Sequence, residues 1–298
     1  MNKAKDIFDT RLVRARRARG QKHAIDPFLL HRCADDAAQR ILDINRTFSR
    51  TLIFANPEIS KRIVQIVQEA GDKEAGDKLE HVVCVDHSDA VDGLDLVCAE
   101  TGLAFMSGSF DLVINALSLH GVNHVPQALG EMKRLLKPDG LLIAALFGGE
   151  TLGALRHALY ETEDTLYGRV SPRVSPMVSL QQAAKLLQTA GFAMPVTDRD
   201  VVQIHYSNLA SLYADLRRMG ETNTLNGRAR RPVSKRFFQK LEQIYARDHG
   251  DASGKFIVKF ELVWMTGWTP HKDQPKPLKP GSAKTRLADA LGVKEQKL

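Results

Sequence analysis

The densest run of apolar positions lies in the middle of the chain and predicts a strand, a crossover helix and a second parallel strand. Residues 111–117 are too continuously apolar for a half-exposed strand, which indicates burial on both faces. Apolar side chains recur at helical spacing over residues 125–136, and residues 138–140 are expected to end that helix. Residues 141–147 return as a second buried strand. Because such a crossover brings both carboxyl ends to one sheet edge, functional residues are expected there.

Weaker hydrophobic patterns on both sides of this unit predict further strands and helices in alternation. Short apolar runs between polar residues indicate strands, whereas apolar positions three and four apart indicate helices. Asn56 followed by Pro57 is typical of a helix start, because asparagine caps a helix and proline suits its first position. The alternation predicts an α/β fold. The predicted strands cover residues 50–54, 81–85, 94–98, 201–206 and 255–266, and the predicted helices cover residues 35–45, 57–70, 180–190, 209–219 and 234–247.

Positive charge is concentrated at the two ends of the chain. Residues 1–25 carry a net charge of +6 and residues 271–298 carry +4, which leaves −3 of the total +7 on the body. A slightly acidic body argues against a nucleic-acid-binding face. The arginine-rich residues 11–19 fit either contact with RNA, a membrane surface or an acidic partner, or a solvated helix with Leu12 and Val13 packed on the body.

Composition is typical of one principal intracellular domain. The chain has 298 residues, of which 43% are hydrophobic and 26% charged, and it lacks the run of ~18 or more apolar residues that a membrane span requires. Its three cysteines, Cys33, Cys84 and Cys98, cannot all pair and show no metal-ligand spacing. A reducing compartment is therefore expected, with Cys84 and Cys98 as small core residues.

Several short motifs resemble known families. Between Ser109 and Gly149, the stretches SFDLV, LSLH, ALGEMKRLLKPDG and FGG resemble the later motifs of class I S-adenosylmethionine (SAM) dependent methyltransferases. The likeness is closer to one branch, the methyltransferase-like assembly factors of respiratory complex I and their bacterial relatives. The motifs that carry it are SLHGVNHVPQAL, FGGETLGALRHAL, RVSP, RMGETNTLNGR, a late W-x-x-G-W run and GSAKTRLADAL.

The resemblance implies a seven-stranded Rossmann-like α/β fold with a helical cover. It divides the chain into a basic helical segment at residues 1–45, a methyltransferase-like domain at 46–269 and a Pro/Lys-rich tail at 270–298. The cover is expected at about residues 150–250, and the helix at 35–45 is expected to be a lid or a lead-in to the sheet.

The function that the resemblance implies is that of a SAM-dependent methyltransferase-like enzyme modifying a protein side chain during complex I (NADH dehydrogenase) assembly. For the mitochondrial branch the implied modification is arginine hydroxylation. Two alternatives stay open: a non-catalytic assembly chaperone that has lost SAM, and a methyltransferase for small molecules or carrier proteins. The expected partner is a protein substrate such as a complex I subunit, with peripheral membrane contact left open. The expected location is the bacterial cytoplasm or, in a eukaryote, the mitochondrial matrix.

The SAM site that the family implies is altered in its first loop. Family members leave the first strand through an acidic residue and a G-x-G-x-G turn, because glycine lets the backbone approach the cofactor closely. Here Ala55, Pro57 and Ile59 fill the three glycine positions, and Ile53 stands where the acid is expected. Ala55 and the neighbouring Asn56 are nevertheless the cofactor-binding candidates of this loop. The cofactor expectation is therefore SAM held by a degenerate glycine motif.

Three polar residues complete the implied cofactor site. Asp86 follows the second predicted strand, where a carboxylate accepts hydrogen bonds from the ribose hydroxyls. The adenine-binding acid of the family falls at Ala99, and the adjacent Glu100 is the substitute. Asn115 lies at the end of the fourth strand. The competing interpretation of Asp86 is an exposed acid at a strand end.

Catalytic and substrate residues are predicted around two further segments. His120 is the candidate general base or orienting group, with Ser118 beside it, although a histidine that caps the crossover helix fits the same pattern. Glu221 and Asn223 are the substrate candidates in the RMGETN segment, where a capped turn with solvated acids is the alternative. No metal site is expected, because His120 and His124 are separated by turn residues.

Overall fold

The computed structural model describes residues 6–22, 28–70, 78–88 and 93–275. Seven strands in these ranges form one mixed sheet. The short extended runs seen in the sequence become strands because each is apolar on at least one face. The strands are β1 (Phe48–Ala55), β2 (Leu79–Asp86), β3 (Leu96–Val97), β4 (Phe110–Ala116), β5 (Leu136–Phe147), β6 (Ala193–Tyr206) and β7 (Phe256–Trp268).

Helices cover both faces of this sheet. Most start at a residue whose side chain caps the first turn, as Ser179 and Ser234 do. In the described part of the chain no helix is long and apolar enough to cross a membrane. The helices are α1 (Thr10–Gln21), α2 (Phe28–Leu42), α3 (Pro57–Glu69), α4 (Val125–Leu135), α5 (Gly153–Tyr167), α6 (Leu180–Ala190), α7 (Leu209–Arg218) and α8 (Lys235–His249), with a 3-10 turn at Leu119–Gly121.

The strand order is β3-β2-β1-β4-β5-β7-β6. Strands β1 to β5 run parallel to one another, and β7 lies antiparallel between β5 and β6. This arrangement confirms the seven-stranded Rossmann-like α/β fold. The parallel strands β1, β2 and β4 end side by side, so the residues that follow them share one sheet edge.

Two hydrophobic cores sandwich the sheet, and a third cluster is separate from both. One core contains α2, α3, α5, α7 and α8, whereas the other contains α4 and α6. The third cluster has only Phe8, Val13 and Leu225, and it fastens α1 to the segment after α7. Helix α1 is thus attached outside the main cores.

Three sequence predictions need correction. Residues 138–140 do not end the crossover helix, because α4 stops at Leu135 and β5 begins at Leu136, consistent with the extended bias of the residue before a proline. Strand β6 starts eight residues earlier than predicted. The helix predicted at 35–45 is α2, and its buried Cys33 and Ile41 place it in the main core and not over the sheet edge as a lid.

The predicted boundaries of the basic segment, the domain and the tail stay predictions. Residues 276–298, which contain the whole GSAKTRLADAL motif, lie outside the described residues. Cys33 is fully buried, and Cys84 and Cys98 are half-buried, each as a free thiol. Burial raises the pKa of the Cys98 thiol to about 11, which makes it unreactive at neutral pH.

Candidate functional site

The candidate site lies where β1, β2 and β4 end. Ala55 pairs with Ala116 across β1 and β4, and Asp86 is the last residue of β2. After Ala116 the chain turns through Leu117, which has a φ of 55°, into the 3-10 turn that carries His120. These strand ends bring the predicted cofactor and catalytic residues to the same edge.

The side chains that follow β1 are packed into the protein core. Ala55 is fully buried and Ile59 is 1% exposed, so both side chains are parts of the core. The Asn56 side chain accepts a hydrogen bond from the Glu58 amide at 2.9 Å, and Pro57 follows as the first residue of α3. The predicted helix start is confirmed. Ala55 therefore packs in the core, and Asn56 caps α3. Their role in cofactor binding stays a prediction.

Arg17 of helix α1 occupies the centre of this edge. Its Nη2 donates to the carbonyl oxygens of Leu117 and Ser118, each at 3.2 Å, and its Nη1 lies 3.2 Å from His87 Nδ1. The guanidinium is also 3.9 Å from Glu221 Oε1. Arginine is seldom buried without partners, and Arg17 is only 9% exposed. The edge thus surrounds the guanidinium of Arg17 with two carbonyl oxygens and a ring nitrogen.

A second residue of α1 covers Asp86. Gln21 Nε2 donates to Asp86 Oδ2 at 2.5 Å, and Asp86 is 2% exposed. Burial raises the pKa of Asp86, and the nearby Arg17 opposes that rise. The competing interpretation of Asp86 as an exposed acid is wrong. Its carboxylate lies at the predicted place, but it accepts its hydrogen bond from Gln21 of helix α1.

His87 links Arg17 to Glu100. Because a guanidinium has no acceptor, Nδ1 of His87 must accept from Arg17, so the ring proton is on Nε2 and donates to Glu100 Oε2 at 2.7 Å. Burial, reinforced by Arg17 and Arg14, lowers the pKa of His87 to about 2, which keeps the ring neutral. Burial raises the pKa of Glu100 to about 7. The edge therefore holds a carboxyl group that titrates near neutral pH.

Ser118 and Asn115 bond to each other at the end of β4. Asn115 Nδ2 donates to Ser118 Oγ at 2.7 Å, and Ser118 Oγ lies 2.9 Å from Asn115 Oδ1. Both residues are buried. This pair fixes the turn whose carbonyl oxygens accept hydrogen bonds from Arg17. Ser118 therefore contacts the guanidinium through its backbone oxygen and not through its hydroxyl.

His120 and Glu221 face each other beside the guanidinium. Nε2 of His120 lies 3.0 Å from Glu221 Oε1, yet neither ring nitrogen makes a hydrogen bond of good geometry within the described residues. The imidazole packs on Phe147 at a centroid distance of 4.8 Å. Burial opposes ionisation of Glu221, but His120 and Arg17 outweigh it and lower the pKa of that carboxyl.

Glu221 and Asn223 follow α7 in a turn that begins at Gly220. Gly220 has a φ of 78°, a left-handed conformation that glycine adopts without steric cost after a helix. Asn223 donates to the Pro172 carbonyl at 2.9 Å and accepts from the Leu225 amide at 3.1 Å. The structure therefore brings Glu221 to the cluster, while the amide of Asn223 is used to hold the turn.

An apolar cavity of about 230 Å³ adjoins this cluster under the cover. It shares Phe147 and Glu221 with a much smaller cavity, of about 20 Å³, next to Arg17 and Asp86. The larger cavity is lined mainly by side chains of α5, α7 and α8 and the loops between them. Glu221 thus lies between the small cavity beside Arg17 and the larger, mainly apolar cavity.

SAM does not fit the edge as it is built. Among the described residues, the cavity beside Arg17 and Asp86 has a volume of about 20 Å³, enough for one water molecule and far less than a nucleoside and an amino acid need. Asp86, the predicted ribose ligand, is already bonded to Gln21, and the side chains of Ala55 and Ile59 occupy the cradle. The described residues of this edge therefore do not fit the cofactor that the resemblance implies.

Among the described residues, no group of His, Cys, Asp or Glu has the arrangement of a metal site. Of the predicted residues, Asp86, Glu100, Ser118, His120 and Glu221 come together, and their assigned roles stay predictions. Arg17, Gln21 and His87 were missed. A signal for the first two was available, since a glycine inside an arginine-rich helix, Gly20, indicates close backbone approach.

The chain matches known proteins over most of its length. Residues 58–144 match a family model described as a methyltransferase domain. The mitochondrial arginine-hydroxylase NDUFAF5 of Rattus norvegicus is 30% identical over 295 residues, which cover 96% of this chain and 84% of the relative. Its Dictyostelium discoideum counterpart is 38% identical over 186 residues.

Coverage of these relatives is uneven. The match to the Dictyostelium discoideum protein covers 62% of this chain but only 42% of that protein, and a Danio rerio counterpart is covered over 59% of its length. Among solved structures, the YcgJ protein of Bacillus subtilis superposes with a TM-score of 0.53 at 12% identity, over 81% of this chain and 99% of that one. The chain therefore belongs to the family of the arginine-hydroxylase NDUFAF5 proteins and has a methyltransferase-like fold.

Proposed function

We propose that the chain binds an arginine side chain of a protein partner at the β1-β2-β4 edge and acts in this way in respiratory complex I assembly. The partner is a complex I subunit. Family membership supports the choice of arginine, since the relatives named above are arginine hydroxylases. The activity, the substrate and the compartment, whether mitochondrial matrix or bacterial cytoplasm, belong to this proposal.

One observation carries the proposal: the edge already holds the guanidinium of Arg17. Two carbonyl oxygens accept from the same Nη2, and the neutral His87 accepts from Nη1. Rigid acceptors at fixed positions favour the planar, forked guanidinium over the compact ammonium of lysine. The site therefore has the chemistry to distinguish arginine from lysine.

Two groups beside the guanidinium have unused capacity for a ligand. Within the described residues, the buried His120 has no hydrogen-bond partner at Nδ1, and its Nε2 lies 3.0 Å from Glu221 Oε1 without good hydrogen-bond geometry. Glu221 lies 3.9 Å from Arg17, which is longer than a close ion pair. Unsatisfied buried groups are uncommon in folded proteins and mark positions where a ligand completes the network. An arginine that enters slightly deeper than Arg17 would engage both.

Peptide binding tests the recognition step. The probe is a capped Gly-Gly-Arg-Gly-Gly peptide, titrated into the full chain by NMR beside versions with lysine or citrulline, a neutral isostere of arginine. We expect the arginine peptide to bind most tightly and Glu221→Gln to weaken it roughly tenfold through loss of a charge-assisted contact. The matched control is Glu161→Gln, an exposed acid of α5. Equal binding of all three peptides would refute arginine recognition.

A deletion strain tests the role in assembly. Native-gel activity of complex I is expected to fall while transcripts of its subunits are unchanged, and wild-type chain is expected to restore it. Restoration by Glu161→Gln but not by Glu221→Gln would connect assembly to the guanidinium site. Normal complex I without the chain would remove the assembly role and leave only the methyltransferase-like fold. Mass spectrometry of the arginines of complex I subunits in the same strains reports whether the bound residue is modified.

A further inference from the structure

We propose that residues 6–22, here named the N-terminal strap, are an internal ligand of the arginine site, and that the partner's arginine-bearing segment binds by replacing the strap in the same groove. This inference depends on the proposed function and adds its regulation. The strap places Arg17 on the Leu117 and Ser118 carbonyls and Gln21 on Asp86. Because Arg17 already occupies the Leu117 and Ser118 carbonyl oxygens, a partner's guanidinium can bind these acceptors only after the strap leaves, so strap and partner exclude each other.

The strap fits its groove closely, backbone against backbone. A Cβ on Gly20 would lie 2.4 Å from the Arg218 carbonyl oxygen, and a Cβ on Gly220 would lie 2.9 Å from the Arg17 Cα. Distances below 3.0 Å are not tolerated against backbone. The groove therefore accepts a helical segment in which a glycine follows the arginine by three positions. That spacing, R-x-x-G, is the chemistry expected of the partner.

The strap's contacts outside the edge include backbone hydrogen bonds to the segment after α7, but they lie apart from the two main cores, which makes replacement of the strap feasible. Its apolar anchor is the cluster of Phe8, Val13 and Leu225, separate from both main cores. At the rim, Asn123 exchanges two hydrogen bonds with the Phe8 backbone at 2.8 and 3.0 Å, and Arg228 lies 3.2 Å from Asp9. None of these contacts belongs to the two main cores that pack the helices on the sheet.

Electrostatic repulsion further weakens the hold of the strap. Arg16 has a buried Nε that makes no hydrogen bond within the described residues. Burial, followed by the neighbouring charges of Arg19, Arg228 and Arg217, lowers the pKa of Arg16. A cation placed among cations disfavours the bound strap, and its release relieves that repulsion. In the bound strap, Arg17 thus has three hydrogen-bond acceptors, whereas Arg16 is partly buried near other cations.

A synthetic peptide with the sequence of residues 6–22 tests the replacement directly. The fluorescently labelled peptide is titrated into the full chain and into two variants that loosen the strap by different means. Arg17→Ala removes the guanidinium, whereas Gly20→Val clashes with the Arg218 carbonyl. Because a site that is free more often binds more tightly, both variants are expected to bind the peptide at least about tenfold better than wild type. Arg11→Ala, an exposed arginine of the same helix, is the control and should match wild type.

Two further readouts distinguish the possible failures. A peptide that carries Arg17→Ala should not bind any protein, and binding of the unaltered peptide should speed amide exchange in the chain's own residues 10–21. Equal affinity for wild type, Arg17→Ala and Gly20→Val would overturn strap replacement while arginine recognition stands. If neither this peptide nor the arginine pentapeptide binds any of the proteins, the proposed function fails, and this inference fails with it. Thermal unfolding of both variants verifies that they are folded.

Discussion

Two buried glutamates, one under the helical cover and one at the candidate edge, have opposite environments. Glu163 of α5 is 1% exposed and accepts hydrogen bonds from the Ser171 amide and hydroxyl and from Arg173, at 2.5 to 2.9 Å. Burial alone would raise its pKa, but these partners outweigh burial and lower it. Glu100 is 2% exposed, its Oε2 lies 2.7 Å from His87 Nε2, and burial outweighs its hydrogen-bond partners and raises its pKa to about 7.

The contrast separates a structural charge from a functional one. The cover surrounds Glu163 with enough donors to keep it ionised, which fixes the loop that contains Ser171 and Arg173. In the described part of the edge, Glu100 Oε1 and His120 Nδ1 have no hydrogen-bond partner. Buried groups that a fold leaves unsatisfied and shifted in pKa are typical of binding sites. The surroundings of Glu163 are therefore those of a structural carboxylate, whereas the edge has the unsatisfied groups on which the proposed ligand binding rests.

The largest expected effect comes from Glu163→Gln. This change leaves the guanidinium of Arg173 with a neutral partner in a poorly hydrated place, and the breaking of such a pair costs about 4 kcal/mol of unfolding free energy. Urea unfolding at pH 7.5 measures the loss. The control Glu161→Gln, whose carboxylate pairs with Arg247 on the surface, should leave the urea midpoint nearly unchanged. A small loss for Glu163→Gln would mean that the structural interpretation of this carboxylate is wrong.

Glu100→Gln should change how stability depends on pH. A carboxyl whose folded pKa lies above its unfolded value stabilises the fold fully below about pH 4.5 and loses that contribution as pH rises to about 7. The loss is roughly 3 kcal/mol by linkage, and the variant should lack it. Urea midpoints at pH 4.5, 6 and 8 measure the slope, with the exposed Glu80→Gln as control. A wild-type profile that is flat over this range would contradict the pKa assigned to Glu100.

SAM titration should give the smallest effect, no measurable heat. The reason is double: Arg17 and Gln21 fill the edge, and the Cβ atoms of Ala55 and Ile59 occupy the cradle. Isothermal titration of the full chain is the measurement, with an active class I methyltransferase that has the G-x-G-x-G turn as positive control. A dissociation constant in the low micromolar range, about −8 kcal/mol, would restore a SAM-dependent enzyme and remove the difference between edge and cover drawn above.

The centre of the fold could be predicted from the sequence because its strands are buried on both faces. Strands β4 and β5 give continuous apolar runs, and helix α6 was predicted to the residue because Ser179 and Gly191 mark its two ends. Strand β6 was predicted too short, since it alternates exposed and half-buried positions and carries Asp198 and Asp200. A half-exposed strand with charged side chains lacks the hydrophobic signal.

The candidate site was predicted only on its strand side. Asp86, Ser118 and His120 follow buried strands, so topology alone places them at one edge. The seat of Arg17 was not predictable, because four other arginines share its helix and only tertiary packing selects one of them. The pairing of His87 with Glu100 joins residues across a loop, which no local spacing indicates.

The position of β6 in the sheet has a consequence for association between molecules. β6 is the outermost strand beside β7, so one side of its backbone has no strand partner in the described sheet. Such an edge invites pairing with another chain unless charges or short length prevent it. Asp198 and Asp200 are paired with Arg40 and Arg32 of α2, each at 2.6 Å, which fixes charge along the middle of this edge.

The opposite edge of the sheet is protected in another way. It ends in β3, whose two residues are too few to template a second strand. Charged side chains thus protect the β6 edge from pairing with another strand, and short length protects the β3 edge. A chain that opens a groove to receive a partner's segment also needs edges that do not capture it as an added strand, and this sheet has that property at both ends.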